Sequence, residues 1–235
     1  TGTMKLLCGP LSLFSRKVEI ALLEKGLSFE RVMVPFSQTA GYSPKHPEVL
    51  VTNPKGQVPV LLDGDVAVYD STVIIEYLDD AYPFPRLLPG PPAQRVQSRL
   101  YDVFADEILL ALLRPLMHRT APGPHSQEQW ADLERGARTA EAALHRQLTH
   151  LDGHLEGRDY LCQQFSAADI GTFMSVLFAL RLGGASLDDH PALGRWYRRL
   201  LGRSAFECVA KEIVAADVQL SAPVKGSYGD GRWLP

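Results

Sequence analysis

A chain of 235 residues, 46% hydrophobic and 22% charged, has ordinary globular composition and room for one large or two small domains. Its net charge of −3 and pI near 6.1 give none of the basic signature of nucleic-acid or anionic-membrane binding. Cys8, Cys162 and Cys208 are scattered, with neither C-x-x-C nor metal-ligand spacing, which argues against a disulfide scaffold and against a metal site.

No apolar run reaches the ~20 residues of a membrane span. Thr1-Gly2-Thr3-Met4 has no basic or apolar leader character, so the expectation is a soluble, cytoplasmic protein with residues 1–3 a remnant of cloning. The short apolar run over 4–8 reads as a buried strand that Gly9-Pro10 stops. A loop over 11–15 leads to a helix over 15–25, with Val18, Ala21 and Leu22 at helical spacing, Ser15 as its cap and Gly26 as its left-handed end. A second strand follows over 29–34. Residues 37–51 are rich in Gly, Pro, Ser and His and predict an irregular loop with at most a short helix.

The runs 58–62 and 66–69 flank Asp63-Gly64-Asp65, a hairpin signal. Pro59 falls at the start of the first run, where a strand tolerates a residue that cannot donate. Residues 71–81 then form an amphipathic helix with Val73, Ile74, Tyr77 and Leu78 on one side. Strand, helix, strand, loop, hairpin and helix make a small mixed α/β sheet over 4–82.

Pro83, Pro85, Pro89, Pro91 and Pro92 mark a linker over 83–92. Beyond it, 93–220 reads as all-helical: 93–117, bent before Pro115, then 127–151, 170–182, 190–201 and 205–216. Ser166-Ala167-Ala168-Asp169 has the spacing of a capping box for the third of these. Residues 221–235, around Tyr228 and Trp233, form an irregular tail.

The sequence lacks G-x-G-x-x-G, a Walker loop, G-x-S-x-G and H-E-x-x-H. His150 and His154 have i, i+4 spacing, but Gly153 and Gly157 weaken that helix, and two exposed histidines are the simpler reading. Arg195, Arg198 and Arg199 around Trp196 and Tyr197 read as a solvated helix face. Ser12 lies before the first helix, where it either caps that helix or donates to an anion near the free amides. Asp70-Ser71 likewise serves as a cap pair or as a grip on a ligand's ammonium and carboxylate. Between them the backbone of Val58 is held exposed by Pro59. Three such anchors suit a small, extended, zwitterionic peptide with its reactive group near Ser12.

Asn53-Pro54-Lys55-Gly56-Gln57-Val58-Pro59-Val60-Leu61 with Asp70-Ser71-Thr72-Val73-Ile74-Ile75-Glu76-Tyr77-Leu78 resembles the glutathione-binding segment of cytosolic glutathione transferases. Ser12-Leu13-Phe14-Ser15-Arg16-Lys17-Val18 resembles the catalytic loop of the serine-type classes, such as tau, zeta and theta. Phe165-Ser166-Ala167-Ala168-Asp169-Ile170 and His190-Pro191-Ala192-Leu193-Gly194-Arg195-Trp196 resemble that family's helical-domain motifs.

The resemblance implies an α/β thioredoxin-like N-terminal domain followed by an all-α C-terminal domain, in a bacterial member that forms a homodimer. It implies glutathione as co-substrate, no metal, and Ser12 stabilising the thiolate, with Ser15 a possible second hydroxyl. Val58 would pair with the cysteinyl backbone, with Pro59 cis, Gln57 would neighbour the peptide, and Asp70 and Ser71 would hold the γ-glutamyl end. Lys45 or Lys55 would meet the glycyl carboxylate. An electrophile would sit among Leu11, Tyr101, Ile108, Leu112 and Met117. The implied activity is conjugation of glutathione to an apolar electrophile. A glutathione-dependent lyase of the β-etherase or dehalogenase type is the rival enzyme reading, and a non-catalytic ligand-binding stress protein is the third.

Overall fold

A computed structural model describes residues 2–121 and 123–227. Four strands, β1 (Lys5–Cys8), β2 (Glu30–Met33), β3 (Val60–Asp63) and β4 (Val66–Tyr69), form one mixed sheet in the order β2-β1-β3-β4. Helix α1 (Leu13–Glu24) is the crossover that lets β2 run parallel to β1. The Asp63-Gly64-Asp65 turn, with Gly64 at φ +59°, returns β4 antiparallel to β3.

Alternation along the strands sorts the core. Leu6, Cys8 and Leu61 face Val18 and Leu22 of α1 and Ile74 and Leu78 of α3 (Ser71–Ala81). Leu7 and Val60 point the other way, onto Val34 and Val49 of α2 (Pro47–Thr52). The long irregular loop thus holds one short helix, as its composition predicts.

The remaining elements are helical. They comprise α4 (Pro92–Val103), a wide π-helical stretch (Phe104–Leu109), α5 (Leu110–Leu113), a 3-10 stretch (Arg114–Thr120), α6 (Gln127–Leu155), α7 (Ala167–Arg181), α8 (Pro191–Leu201) and α9 (Ser204–Leu220). The helix expected over 93–117 therefore changes winding three times, and α6 runs four residues beyond its expected end despite Gly153. The solvated face of α8 is as predicted: Trp196 and Tyr197 are buried, while Arg195, Arg198 and Arg199 are exposed.

Helix α7 is buried at every position, which makes it the axis of the helical half. Its capping box is complete. Asp169 accepts from the Ser166 and Leu161 amides at 3.0 Å each and from Trp196 Nε1 at 2.8 Å. Burial raises the Asp169 carboxyl to about 6 against the pull of those donors.

The two halves share one apolar core, in which Leu13, Ile20 and Ile75 join Ile170, Phe173 and Met174. A buried ion pair fastens the seam. Lys25 Nζ lies 3.0 Å from Asp79 Oδ1 and donates to the carbonyls of Tyr82 and Pro85 at 2.8 Å each. Asp79 also accepts from the Leu87 and Leu88 amides, and Leu87 O accepts from the Ala167 amide at 2.7 Å. The proline-rich stretch is consequently tied down on both sides.

Among the described residues no helix is long and apolar enough to cross a membrane. The tail leaves α9 with the Ala222 amide donating to Thr120 O at 2.9 Å. Tyr228 and Trp233 lie outside the described residues.

Candidate active site

Helix α1 begins at Leu13, two residues earlier than expected, and its cap is Ser12 rather than Ser15. Ser12 Oγ accepts from the Ser15 amide at 3.1 Å. A hydroxyl that accepts in this way keeps its own hydrogen free to donate. The two readings of Ser12, cap and anion donor, are therefore compatible. The Leu13 and Phe14 amides beside it belong to the first turn, where a helix offers donors without an intrahelical acceptor. Ser15 is fully buried, with its Oγ accepting from the Gly9 amide at 3.1 Å, so burial turns its hydroxyl into the loop.

The loop is braced on both sides. Arg16, buried, donates from Nε to Pro10 O at 3.1 Å and from Nη1 to Glu19 and Glu212 at 3.0 and 2.9 Å. Tyr42, from the loop before α2, accepts from the Leu11 amide at 2.9 Å. Gly9 makes room for that ring, since a Cβ there would sit 2.6 Å from Tyr42 Cε1 and 2.9 Å from Ser12 Cβ. Cys8 is the nearest thiol. Burial, with Glu19 beside it, pushes that thiol far above its ordinary range and leaves it inert.

Val58–Pro59 is a cis peptide, as are Ser43–Pro44 and Phe84–Pro85. Among the described residues the Val58 amide and carbonyl have no hydrogen-bond partner in the chain. The preceding turn is held by Asn53, whose Nδ2 donates to Gln57 O at 2.8 Å. On the far side Asp70 caps α3, accepting from the Thr72 amide at 3.1 Å. Its backbone is at φ 71°, a region that costs a non-glycine residue about 1–3 kcal/mol and persists where the surroundings impose it.

Behind Ser71 stands a group that sequence reasoning missed. Lys17, on α1 and fully buried, donates to Ser71 Oγ at 3.2 Å and pairs with Asp102 at 2.5 Å and Asp106 at 3.3 Å. Gly171 on α7 leaves space for this cluster, for a Cβ there would lie 3.0 Å from Asp102 Oδ1. Because Lys17 supplies the hydrogen to Ser71 Oγ, the Ser71 hydroxyl is free to donate outward. Burial raises the Asp106 carboxyl to about 6, with Lys17 opposing, and its Oδ1 has no partner.

Two adjoining cavities open along this line. The first, about 290 Å³, is bordered by Lys55, Gln57, Val58, Pro59, Asp70, Ser71, Asp106 and Glu107. The second, about 360 Å³, is bordered by Leu11, Ser12, Phe36, Gln38, Tyr42, Met117, Thr120, Phe178 and Arg181. Phe14, Leu110 and Arg114 border both. Ser12 borders the second cavity, two residues before Phe14, which borders both.

Several expected neighbours lie elsewhere. Lys45 is exposed and borders neither cavity, while Lys55 borders the first. Of the residues expected around an electrophile, Leu11 and Met117 border the second cavity. Tyr101 instead lines a separate hollow with Leu100, Phe104 and His150. Ile108 is 44% exposed, and Leu112 packs against the core. The wall is formed by Leu110, Arg114 and Met117, and a shift of two residues turns a helix by about 200°. His154 Nε2 is 2.8 Å from Leu161 O. No metal-binding group occurs among the described residues.

Comparison with known proteins places both halves of the chain in one family. Residues 7–92 match the glutathione S-transferase N-terminal domain and residues 104–204 the C-terminal domain. A "Probable maleylacetoacetate isomerase" of Vibrio cholerae is 30% identical over 83% of this chain and 90% of the relative. Among solved structures, a glutathione S-transferase from Rhodospirillum rubrum F11 is 28% identical with a TM-score of 0.75, covering 88% of this chain and 91% of that one. The beta-etherase LigF of Sphingobium sp. strain SYK-6 is 26% identical with a TM-score of 0.71, covering 90% and 100%. This chain belongs to the glutathione S-transferase family.

Proposed function

We propose that the protein binds glutathione along the first cavity and adds its thiolate to an electrophile held in the second. The observation that supports this reading is the Ser12 hydroxyl on the border of the second cavity, already accepting from the Ser15 amide and so left as a donor. Val58 offers its free amide and carbonyl to the cysteinyl backbone, with Gln57 alongside. Ser71 offers its amide and hydroxyl to the γ-glutamyl carboxylate, and Asp70 and Asp106 face the ammonium. Lys55 serves the glycyl carboxylate.

A thiol of pKa ~8.5 is mostly protonated at neutral pH, and lowering it by about two units takes ~2.7 kcal/mol. A hydrogen bond to a charged acceptor supplies ~1.5–3 kcal/mol and a helix N-terminus ~0.3–1 kcal/mol, which together suffice. Ser12→Ala is expected to keep glutathione binding and lose most thiolate at neutral pH. Undiminished ultraviolet thiolate absorbance in that variant would sink the assignment.

The likeness to a beta-etherase over nearly the full chain supports a second reading, a lyase that displaces an aryloxide from a β-aryl ether. Turnover of chlorodinitrobenzene against a β-aryl ether separates the two; glutathione binding without thiolate formation favours a ligand-binding protein instead. We further propose a cytoplasmic homodimer, divided into residues 4–82 and 93–220. Supporting it are the apolar stripe of Val96, Leu100 and Val103 on α4, 45–56% exposed, and Val51, 88% exposed on α2. Sedimentation as a monomer at micromolar concentration would overturn the dimer.

A further inference from the structure

The second cavity is charged in one sense only. Apolar side chains such as Leu11, Phe36 and Phe178 make up most of it, and its two charged residues are both arginines, Arg114 and Arg181. Among the described residues no carboxylate borders it. The first cavity, by contrast, mixes Lys55 and Arg114 with Asp70, Asp106 and Glu107.

The two arginines differ in their state. Arg181 is 5% exposed; its Nη2 donates to Asp217 Oδ1 at 2.6 Å, while its Nε is buried without a hydrogen-bond partner. Its guanidinium lies 5.2 Å from the centre of the Phe178 ring. Arg114 is exposed at the junction of the cavities, and its guanidinium has no hydrogen bond or ion pair among the described residues. An apolar ligand filling this space would strip water from Arg114 and return nothing, which disfavours it. A carboxylate would accept two parallel hydrogen bonds from the same planar fork.

We infer that the electrophile carries a carboxylate on an apolar body, gripped by Arg114 at the junction, with Arg181 lending positive potential from the cavity wall. This rests on the transferase reading of the first cavity and names the substrate class of the second. Asp217 already neutralises most of the Arg181 charge, so Arg114 is assigned the discrimination.

The test uses glutathione conjugates made chemically, so it does not depend on turnover. Affinities of the 3- and 4-carboxybenzyl S-conjugates are measured by calorimetry against their carbamoylbenzyl counterparts, which match them in shape and lack the charge. In the natural protein one carboxylate is expected to bind about tenfold tighter than its amide, equivalent to about 1.4 kcal/mol. That ratio should fall with added salt, collapse in Arg114→Gln and survive in part in Arg114→Lys, which keeps charge without the fork.

Equal affinity of acid and amide at both ring positions overturns the inference and leaves the transferase reading standing. So does a preference that persists in Arg114→Gln, or a loss in that variant equal for acids and amides, which would assign Arg114 to glutathione itself. Failure of every conjugate to bind overturns the transferase reading and the inference with it.

Discussion

The two walls of the cleft are made from different parts of the amino acid. On the sheet side, binding groups are backbone atoms and short side chains fixed at strand and helix ends: Val58, Ser71, Asp70 and the first turn of α1. On the helical side they are the ends of long side chains, Leu110, Arg114, Met117, Phe178 and Arg181. Backbone donors keep their identity when side chains are exchanged, whereas every substitution on the facing helices redraws that wall. Under the proposed function, one wall holds the constant tripeptide and the other sets which electrophile it meets.

The largest expected effect comes from breaking the seam that holds the walls at a fixed spacing. Lys25→Ala takes the counter-ion from the buried Asp79 carboxylate and leaves it the Leu87 and Leu88 amides, and removing one partner of a buried pair costs about 3–5 kcal/mol. Urea unfolding should show that loss, and a stability within experimental error of the natural protein would show the seam to be redundant.

A sharper division is expected between binding and chemistry within the sheet wall. Ser71→Ala should weaken glutathione by about 1.5–3 kcal/mol, the range for a hydrogen bond to a charged group. The thiolate pKa of whatever glutathione still binds should stay where it is. A shift in that pKa would mean that the wall acts as one electrostatic unit.

Asp106 probes where the walls meet. Burial raises its carboxyl from the ordinary 3.8 to about 6. The protonated form therefore favours the fold. That contribution is complete below about pH 4 and is lost as pH rises through about 6. Binding has the opposite sign, because the γ-glutamyl ammonium pairs with the ionised form. Glutathione affinity is expected to rise between about pH 5 and 7, and Asp106→Asn should flatten that rise. An unchanged profile in the variant would remove Asp106 from the site.

The same contrast explains what could be read from the sequence. The sheet wall is local: Asp63-Gly64-Asp65 sets the hairpin, and Asp70-Ser71 starts a helix at the expected residue. Its groups follow from turn and cap chemistry within a few residues of each site. The cap of α1 was off by three residues because two serines compete for it, and only the Gly9 amide decides that Ser15 turns inward.

The helical wall depends on register over a long distance. Tyr101, Ile108 and Leu112 keep a regular spacing that the π-helical stretch at Phe104–Leu109 interrupts, since each wider turn takes up an extra residue. Lys17 was invisible for another reason. In sequence it is one more charge on an amphipathic helix, and its carboxylate partner Asp106 is 89 residues away. That α1 buries Arg16, Lys17 and Glu19 follows from its being packed between the sheet and α7, α9 and the buried acids, which no local pattern announces.

Tyr42 gives the cleft a mechanical linkage. Its hydroxyl carries the Leu11 amide, its ring fills the notch at Gly9, and it also forms part of the second cavity. The segment bearing Ser12 thus leans on a side chain that borders the second cavity. Under the proposed function, a ligand bulky enough to push the ring aside would slacken the Ser12 segment in the same movement, so oversize would slow turnover as well as weaken affinity. Tyr42→Phe, which deletes one hydrogen bond of about 1 kcal/mol, is expected to lower kcat for small electrophiles while easing the penalty on large ones. A uniform loss across sizes would show that the ring is a passive wall.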